Sequence, residues 1–140
     1  GWFSFPCASL ELLMKTKILY LAFVLSLVLA ACTSNASPAA TAVEQYLTAL
    51  VGKQSDTLST LVCTDWESQA LMEMDSFGAV APELKDAACQ ESGTEGDLTL
   101  VTCTGQIVTT YNDEKSELDL SDWTYEVIQQ NGVWLVCGYR

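Results

Sequence analysis

The C-terminal stretch "QQNGVWLVCGY" (residues 129–139) contains the pattern that decides the fold. Asn131-Gly132 is typical of a two-residue hairpin turn, because both central residues of a type I′ turn need a positive φ. A turn of this length sets Ile128 opposite Leu135 on the two strands that it joins. The chain is therefore predicted to end in an antiparallel hairpin that is substantially apolar on both faces.

The two faces of this hairpin carry different side chains. One face has Ile128 and Leu135, and the same register sets Glu126 opposite Cys137. The other face has the larger set, Tyr125, Val127, Trp134 and Val136. Helices can cover only one face in so small a domain, and we expect them to cover the face of Trp134, because large aromatic residues fill an interior better. The face of Ile128 and Leu135 is then the expected contact surface for a second copy of the chain or for a partner protein.

Four strands are predicted in all, because apolar and polar residues alternate with a period of two after about residue 84. They are Leu84 to Glu91, Leu98 to Tyr111, Leu118 to Gln130 and Val133 to Tyr139. Gly105 lies in the middle of the long second strand, where an isolated glycine indicates a bulge that would curve the sheet.

Three helices are predicted before the sheet. The first has Ser37 as its N-cap, Pro38 at its first position and Gly52 at its end. Its apolar stripe consists of Val43, Tyr46, Leu47, Leu50 and Val51. The second begins at Ser55, and the third begins at a T-x-x-E capping box from Thr64 to Glu67. The inward side of the third helix carries Trp66, Ala70 and Met74.

Three helices followed by a strongly bent four-stranded antiparallel sheet, with an Asn-Gly hairpin and the ending "NGVWLVCGY", resemble the nuclear transport factor 2-like cone fold. More narrowly, the chain resembles small bacterial lipoproteins that carry such a domain. The resemblance covers about residues 38–140 and implies the α+β class, a cystatin-like arrangement with one helix being the alternative. The family includes enzymes, such as ketosteroid isomerase and relatives of polyketide cyclases, as well as non-enzymatic binding domains, so the fold alone assigns no function.

The N-terminal part has the features of a bacterial export signal. Met14 is followed by Lys15 and Lys17 and then by an apolar stretch, residues 18–29, that is too short for a membrane anchor. Leu29-Ala30-Ala31-Cys32 looks like a lipobox, which implies a diacylglycerol on the Cys32 thiol and cleavage before it. An ordinary secretory signal beside an unmodified cysteine is the alternative.

These features predict four segments in the chain. Residues 1–13 are an upstream extension that is not translated or not native, and residues 14–31 are the lipoprotein signal peptide. Residues 32–38 are a flexible tether, and residues 39–140 form one domain. The expected location is therefore the extracytoplasmic side of the cell membrane, with the lipid on Cys32 as the anchor.

The charge of the part after the signal peptide excludes one class of partner. From Cys32 onward there are four Lys and Arg and seventeen Asp and Glu residues, a formal charge of 4 minus 17, or −13. Nucleic-acid binding needs lysine and arginine to neutralise phosphates, so no nucleic-acid partner is expected. Attachment to the bilayer must come from the lipid rather than from charge.

Four cysteines remain once Cys7 and the predicted lipidation site are set aside, and an even number in an exported domain predicts two disulfide bonds. A loop of Gly93 to Thr99 sets Cys89 opposite Cys103, which leaves Cys63 to pair with Cys137. The second bond draws Cys137 toward the helices, although the hairpin register puts it on the opposite face. The disulfide bond and the hairpin register are compatible only if the last strand twists or bulges near its end.

Few residues offer catalytic or metal-binding chemistry. The chain contains no histidine, which excludes Ser-His-Asp and Cys-His catalysis and histidine-ligated metals. The cysteine intervals contain no C-x-x-C pair, and the acidic turn near residue 113 lacks a calcium-loop spacing, so no metal or cofactor is expected. Asp65 and Asp119 are the candidate general bases. Asp65 is better explained as a first-turn helix acid and Asp119 as a residue that faces water, and no catalytic residue is predicted.

One aromatic set suggests a ligand pocket. Tyr46, Trp66, Trp123, Tyr125 and Trp134 could line such a pocket or could form the plain core of the domain. The sequence is therefore interpreted as a membrane-anchored lipoprotein that acts as a non-enzymatic binding or accessory module. A small-molecule pocket protein and a carboxylate-dependent, isomerase-like enzyme are the alternatives.

Overall fold

Three helices precede a five-stranded antiparallel sheet in the computed structural model, which describes residues 36–140. The helices are α1 (Pro38–Val51), α2 (Ser55–Thr60) and α3 (Thr64–Ser76). The strands are β1 (Ala81–Glu95), β2 (Leu98–Tyr111), β3 (Glu114–Asp119), β4 (Thr124–Gln130) and β5 (Val133–Tyr139). The α+β class and the three helices are confirmed. Predictions for residues 1–13, the signal peptide 14–31, Cys32 and most of the tether lie outside the described residues.

The first helix begins and ends where the sequence predicts. Ser37 is the N-cap and its Oγ accepts a hydrogen bond of 3.2 Å from the Ala40 N–H, while Pro38 occupies the first helical position. Gly52 is the C-cap. The inward face of α1 is wholly buried and supplies much of the core, including Val43, Tyr46, Leu47 and Leu50.

The third helix begins differently from the prediction. The N-cap of this helix is Cys63 and not Thr64, so the expected capping box is wrong. The Cys63 side chain accepts no hydrogen bond from the backbone N–H groups of the first turn. The reason is a strand pairing. The Cys63 N–H donates to the Val136 carbonyl and the Val136 N–H donates to the Leu61 carbonyl, both at 2.9 Å. This pairing holds Val62 parallel to β5 at the edge of the sheet, and the helix begins directly after Cys63.

The predicted third strand, Leu118 to Gln130, is in fact two strands, which gives the sheet five strands instead of four. A short 3-10 turn, Leu120–Asp122, separates β3 from β4. Leu120 is fully buried, and Asp119 accepts hydrogen bonds from the amide and hydroxyl of Ser121. The turn is therefore held by the buried side chain of Leu120 and capped by the carboxylate of Asp119. Both resulting strands pair with β2, which is long enough for two neighbours on the same edge.

The turn between β1 and β2 is shorter than predicted. Glu95 pairs with Leu98 across a two-residue turn, so the predicted loop of Gly93 to Thr99 is wrong, and β1 is longer than expected at both ends. A bulge at Ser92 shifts the register by one residue and sets Cys89 opposite Cys103. Their disulfide joins Cα atoms 4.0 Å apart. The pairing thus depends on the bulge, which no sequence signal indicated.

Gly105 lies at the second irregularity of this hairpin. Between the pairs Lys85–Gln106 and Ala88–Thr104, two residues of β1 face Gly105 alone, so the extra residue belongs to β1 and not to the strand of the glycine. Gly105 has φ +98°, and a Cβ here would lie 2.5 Å from the Lys85 carbonyl oxygen. Only glycine fits this close approach of the two strands at the bulge.

A third bulge lies at the end of β5. The Asn131-Gly132 turn has positive φ at both residues, and Ile128 pairs with Leu135, as predicted. Further along, Val127 pairs with Val136 but Glu126 pairs with Gly138, so the predicted pairing of Glu126 with Cys137 is wrong.

Cys137 is the extra residue of this bulge, and its disulfide to Cys63 spans 4.9 Å between Cα atoms. The bulge allows the helices to cover the face of Val127 and Val136 while Cys137 still reaches the start of α3. It also turns Tyr139 inward, opposite Tyr125.

Candidate functional site

A half-buried carboxyl group, that of Glu73, lies where α3 meets α1 and the sheet. Glu73 follows Ala70 by three residues on the inward face of α3, although it is an acid. Its Oε2 accepts a hydrogen bond of 2.9 Å from the Tyr46 hydroxyl of α1, and its Oε1 accepts one of 3.3 Å from the Tyr139 hydroxyl of β5. One side chain therefore joins three elements of the fold.

Burial changes the protonation of this group of residues. Removal from water raises the pKa of the Glu73 carboxyl, and the hydrogen bonds from Tyr46 and Tyr139 offset part of that rise. Burial, together with the nearby negative charge of Glu73, raises the pKa of Tyr46, Tyr125 and Tyr139. All three phenols stay protonated at physiological pH, so Tyr46 and Tyr139 are hydrogen-bond donors to Glu73.

Aromatic rings pack around this carboxyl. The Tyr139 ring centroid lies 5.5 Å from that of Trp66 and 5.7 Å from those of Trp123 and Tyr125. Tyr46 contacts Tyr125 edge-on at 6.3 Å. The Nε1 of Trp66 is buried and has no hydrogen-bond partner among residues 36–140.

The structure thus brings together four of the five residues predicted to line a pocket: Tyr46, Trp66, Trp123 and Tyr125. Tyr46 and Tyr125 are almost completely buried and form part of the core, while the two tryptophans are half-buried. Trp134 lies apart from them, in the groove described below. These four residues pack together with Glu73 and Tyr139. We call the six residues the Glu73 cluster.

A groove runs along the outer side of α1. Its larger part, about 410 Å³, lies between the start of α1 and the β4–β5 hairpin and is lined by Ala36, Pro38, Thr41, Ala42, Gln45, Leu61, Gly132, Val133 and Trp134. Its smaller part, about 200 Å³, continues toward α2 and shares Gln45 and Leu61. We call the two parts the α1 groove. No charged residue lines either part.

Two further depressions border the disulfide bonds. The larger, about 330 Å³, is lined by Cys63, Thr64, Asp65, Ile128, Gln130 and Cys137, and we call it the disulfide depression. The other, about 150 Å³, lies over Cys89 and Cys103. Neither of them, nor the α1 groove, is lined by Glu73.

The acids singled out in the sequence are not brought together. Asp65 is exposed in the first turn of α3, and Asp119 is exposed at the end of β3, where hydrogen bonds from Ser121 lower the pKa of its carboxyl. Within residues 36–140 the structure contains no group of three or more His, Cys, Asp or Glu residues able to hold a metal ion. No helix in the same range is long and apolar enough to cross a membrane.

Sequence reasoning missed Glu73 and Tyr139. A signal for Glu73 was present, because Trp66, Ala70, Glu73 and Phe77 follow one another at helical spacing along a single face. Tyr139 had no comparable signal, since regular alternation from Trp134 puts it on the outer face and only the bulge at Cys137 turns it inward.

Comparisons with known proteins bear on the fold. No family model matches this sequence, and no curated protein does. Among solved structures, the chain is similar to one described as a "putative ketosteroid isomerase" from Shewanella frigidimarina, with a TM-score of 0.53 and 18% identity. The match covers 74% of this chain and 93% of that one.

The chain has the ketosteroid isomerase-like fold. This is the nuclear transport factor 2-like architecture that the order of elements predicted, with three helices against a curved antiparallel sheet. At this level of identity the likeness establishes the fold and does not extend to activity.

Proposed function

We propose that the chain is a lipid-anchored, extracytoplasmic binding module that holds a segment of a partner protein in the α1 groove. The observation that carries this proposal is the contrast between the groove and its surroundings. Residues 36–140 have a formal charge of 4 minus 17, or −13, yet every residue that lines the groove is uncharged. Uncharged, apolar concave surfaces of this kind are typical of recognition sites.

The lining of the groove suits a peptide segment. Thr41, Gln45 and Thr48 follow one another along the outer side of α1 and offer hydrogen-bonding groups between small apolar residues. At one end Trp134 supplies a large aromatic contact, and Val133, 53% exposed, extends the apolar surface at the hairpin tip. Aromatic anchors surrounded by small residues are common at protein interfaces.

The charge of the surroundings favours one type of partner. A segment that is apolar at its centre and carries lysine or arginine at its flanks would place its apolar part in the groove, while the formal charge of −13 on the domain attracts its basic flanks. A second copy of this chain is less suitable as the partner, because it also has a formal charge of −13 and the two copies would repel each other. We therefore propose a basic-flanked protein segment in preference to a homodimer.

The location rests on two further features. Two disulfide bonds are typical of proteins outside the cytoplasm. The signal peptide and the lipobox at Cys32 supply the proposed anchor, and the described domain begins only a few residues after that cysteine. The α1 groove includes Ala36, so a bound partner would lie near the point of membrane attachment.

Selection from a random peptide display library tests the proposed site. The full chain is presented on vesicles, and selected peptides are expected to have apolar centres with basic flanks and to lose affinity with added salt. Gln45→Lys places a positive charge in the groove, which repels the basic flanks and is unfavourable beside the apolar lining, and it should weaken these peptides at least about tenfold. The matched control is Gln69→Lys on the exposed side of α3. Equal binding to both variants, or dimerisation through the face of Ile128 and Leu135, would contradict the proposal.

A second candidate function is favoured by one observation, the raised pKa of the Glu73 carboxyl beside tyrosine hydroxyls. A carboxylate base and a phenol donor are the groups needed for proton transfer next to a carbonyl. We rank this function second because both oxygens of Glu73 already accept hydrogen bonds from tyrosines.

A turnover assay distinguishes this second candidate from the first. A β,γ-unsaturated ketosteroid is the probe, and tryptophan fluorescence reports its binding. Turnover that is lost in Glu73→Gln and kept in Gln45→Lys would favour the enzyme, whereas the binding module predicts no turnover in either variant.

A further inference from the structure

The disulfide depression lies over a bond that is open to solvent. Cys63 and Cys137 are both half-buried and line a depression of about 330 Å³. Cys89 and Cys103 are only 8% and 2% exposed, and the depression over them is less than half that volume. We propose that Cys63–Cys137 is a thiol-exchange site for an attacking reducing thiol, whereas Cys89–Cys103 is a purely structural bond.

The position of Cys63 makes it a good leaving group. It is the N-cap of α3, a helix of 13 residues, and its side chain accepts no hydrogen bond from the first turn while it is held in the disulfide. A thiolate released here would face the positive end of the helix and could cap it. Helix N-termini lower the pKa of a cysteine thiol, and a thiol of lower pKa leaves faster.

Neighbouring groups act in both directions on this thiolate. Asp65 and Glu67 lie in the first turn of the helix, and their negative charges oppose a second negative charge at Cys63. Asp65 also lines the disulfide depression, whereas the β4 residues on its other wall, Ile128 and Gln130, are uncharged. The negative charge of Asp65 should therefore slow the exchange, and a single substitution can remove this charge.

The exchange needs two thiols. The thiolate of the first attacks the Sγ of Cys137, the bond to Cys63 breaks, and Cys63 leaves with the electron pair as a thiolate. The second thiol then attacks the sulfur of the first, which releases Cys137. Two external thiols are oxidised to one disulfide, the protein disulfide is reduced, and the two thiol protons end on the two cysteines.

The fold keeps the two cysteines close after reduction. The Cys63 N–H to Val136 carbonyl bond and the Val136 N–H to Leu61 carbonyl bond do not involve the sulfurs. They hold the start of α3 against β5, so the site can close again without refolding.

Reduced glutathione, added to the full chain under native conditions, tests the proposal. Alkylation and peptide mapping should show Cys63–Cys137 opening at least about tenfold faster than Cys89–Cys103, with trapped glutathione on Cys137 and a free thiol on Cys63. Asp65→Asn should accelerate the opening about twofold or more, and the matched control Asp56→Asn in α2 should not.

Two results would overturn the proposal. One is the opening of both bonds together at the rate of global unfolding. The other is a glutathione adduct found on Cys63 instead of Cys137, which would show that the helix N-terminus does not select the leaving group.

Discussion

The hydroxyl of Tyr46 lies 2.9 Å from Oε2 of Glu73 and donates a part-buried hydrogen bond to it. The two residues are 27 positions apart and belong to α1 and α3. Tyr139 of β5 donates to the other carboxylate oxygen at 3.3 Å. The stability of the fold should therefore depend on this carboxyl and its two donors.

Tyr46→Phe should destabilise the protein by about 1–3 kcal/mol at pH 7, because it removes a buried donor to a charged group and leaves the ring in place. Urea unfolding followed by circular dichroism measures the loss. Tyr139→Phe is the control, and it should cost less because its hydrogen bond is longer and its side chain is only half-buried. A Tyr46→Phe variant as stable as the wild type would show that the hydrogen bond contributes nothing.

Stability should depend on pH through Glu73. Because burial raises the pKa of this carboxyl above its ordinary value of 4.5, the folded protein holds the proton more tightly than the unfolded chain. The free energy of unfolding should then fall as the pH rises from about 4.5 through the raised pKa, at up to about 1.4 kcal/mol for each pH unit. Below pH 4.5 this contribution is fully present.

Chemical unfolding at a series of pH values checks this dependence. Glu73→Gln should remove the slope, while Glu117→Gln on the exposed strand β3 should leave it unchanged. Parallel profiles for the wild type and Glu73→Gln would exclude Glu73 as its source.

Gly105→Ala should destabilise the protein by roughly 2–4 kcal/mol, because the new methyl group would lie 2.5 Å from the Lys85 carbonyl oxygen at a φ of +98°. Thermal unfolding gives the measurement. Gly93→Ala is a matched control in β1, where a Cβ meets no atom within 4 Å. Equal losses in the two variants would contradict the close approach at Gly105.

Cys32→Ser should abolish membrane anchoring. The wild-type chain is expected to carry two or three acyl chains on its N-terminal cysteine, which hold a protein stably where a single chain is marginal. Detergent partitioning and mass spectrometry of the mature N-terminus measure this, with Ser34→Ala, two residues after the lipobox cysteine, as the control. A mature chain that begins at another residue would show that the lipobox assignment is wrong.

The helices and the hairpin could be predicted because their signals are local. Ser37 and Pro38 set the start of α1, and Asn131-Gly132 sets the register of β4 and β5, through the conformational preferences of the residues themselves. Strands β2 and β5 also have the predicted bounds.

Gly105 marked the irregularity of the β1–β2 hairpin in advance, but the bulge at Cys137 could not be predicted, because it depends on contacts between distant parts of the chain. Regular alternation puts Cys137 opposite Glu126, but the pairing of residues 61–63 with β5 and the bond to Cys63 displace it. The Glu73 cluster depends on that displacement, since Tyr139 reaches Glu73 only beyond the bulge. A site assembled by an irregularity leaves little trace in a periodic pattern.

The two disulfides are nested, because the bond between Cys89 and Cys103 lies within the ring of residues 63–137 that the other bond closes. A protease that cuts once within that ring, for example at the exposed turn of Asn112 and Asp113, therefore cannot separate the chain into two molecules. The pieces stay joined through Cys63 and Cys137 until that bond is reduced. Helix α1 lies outside the ring, and a cut between it and Cys63 releases it from the covalent remainder.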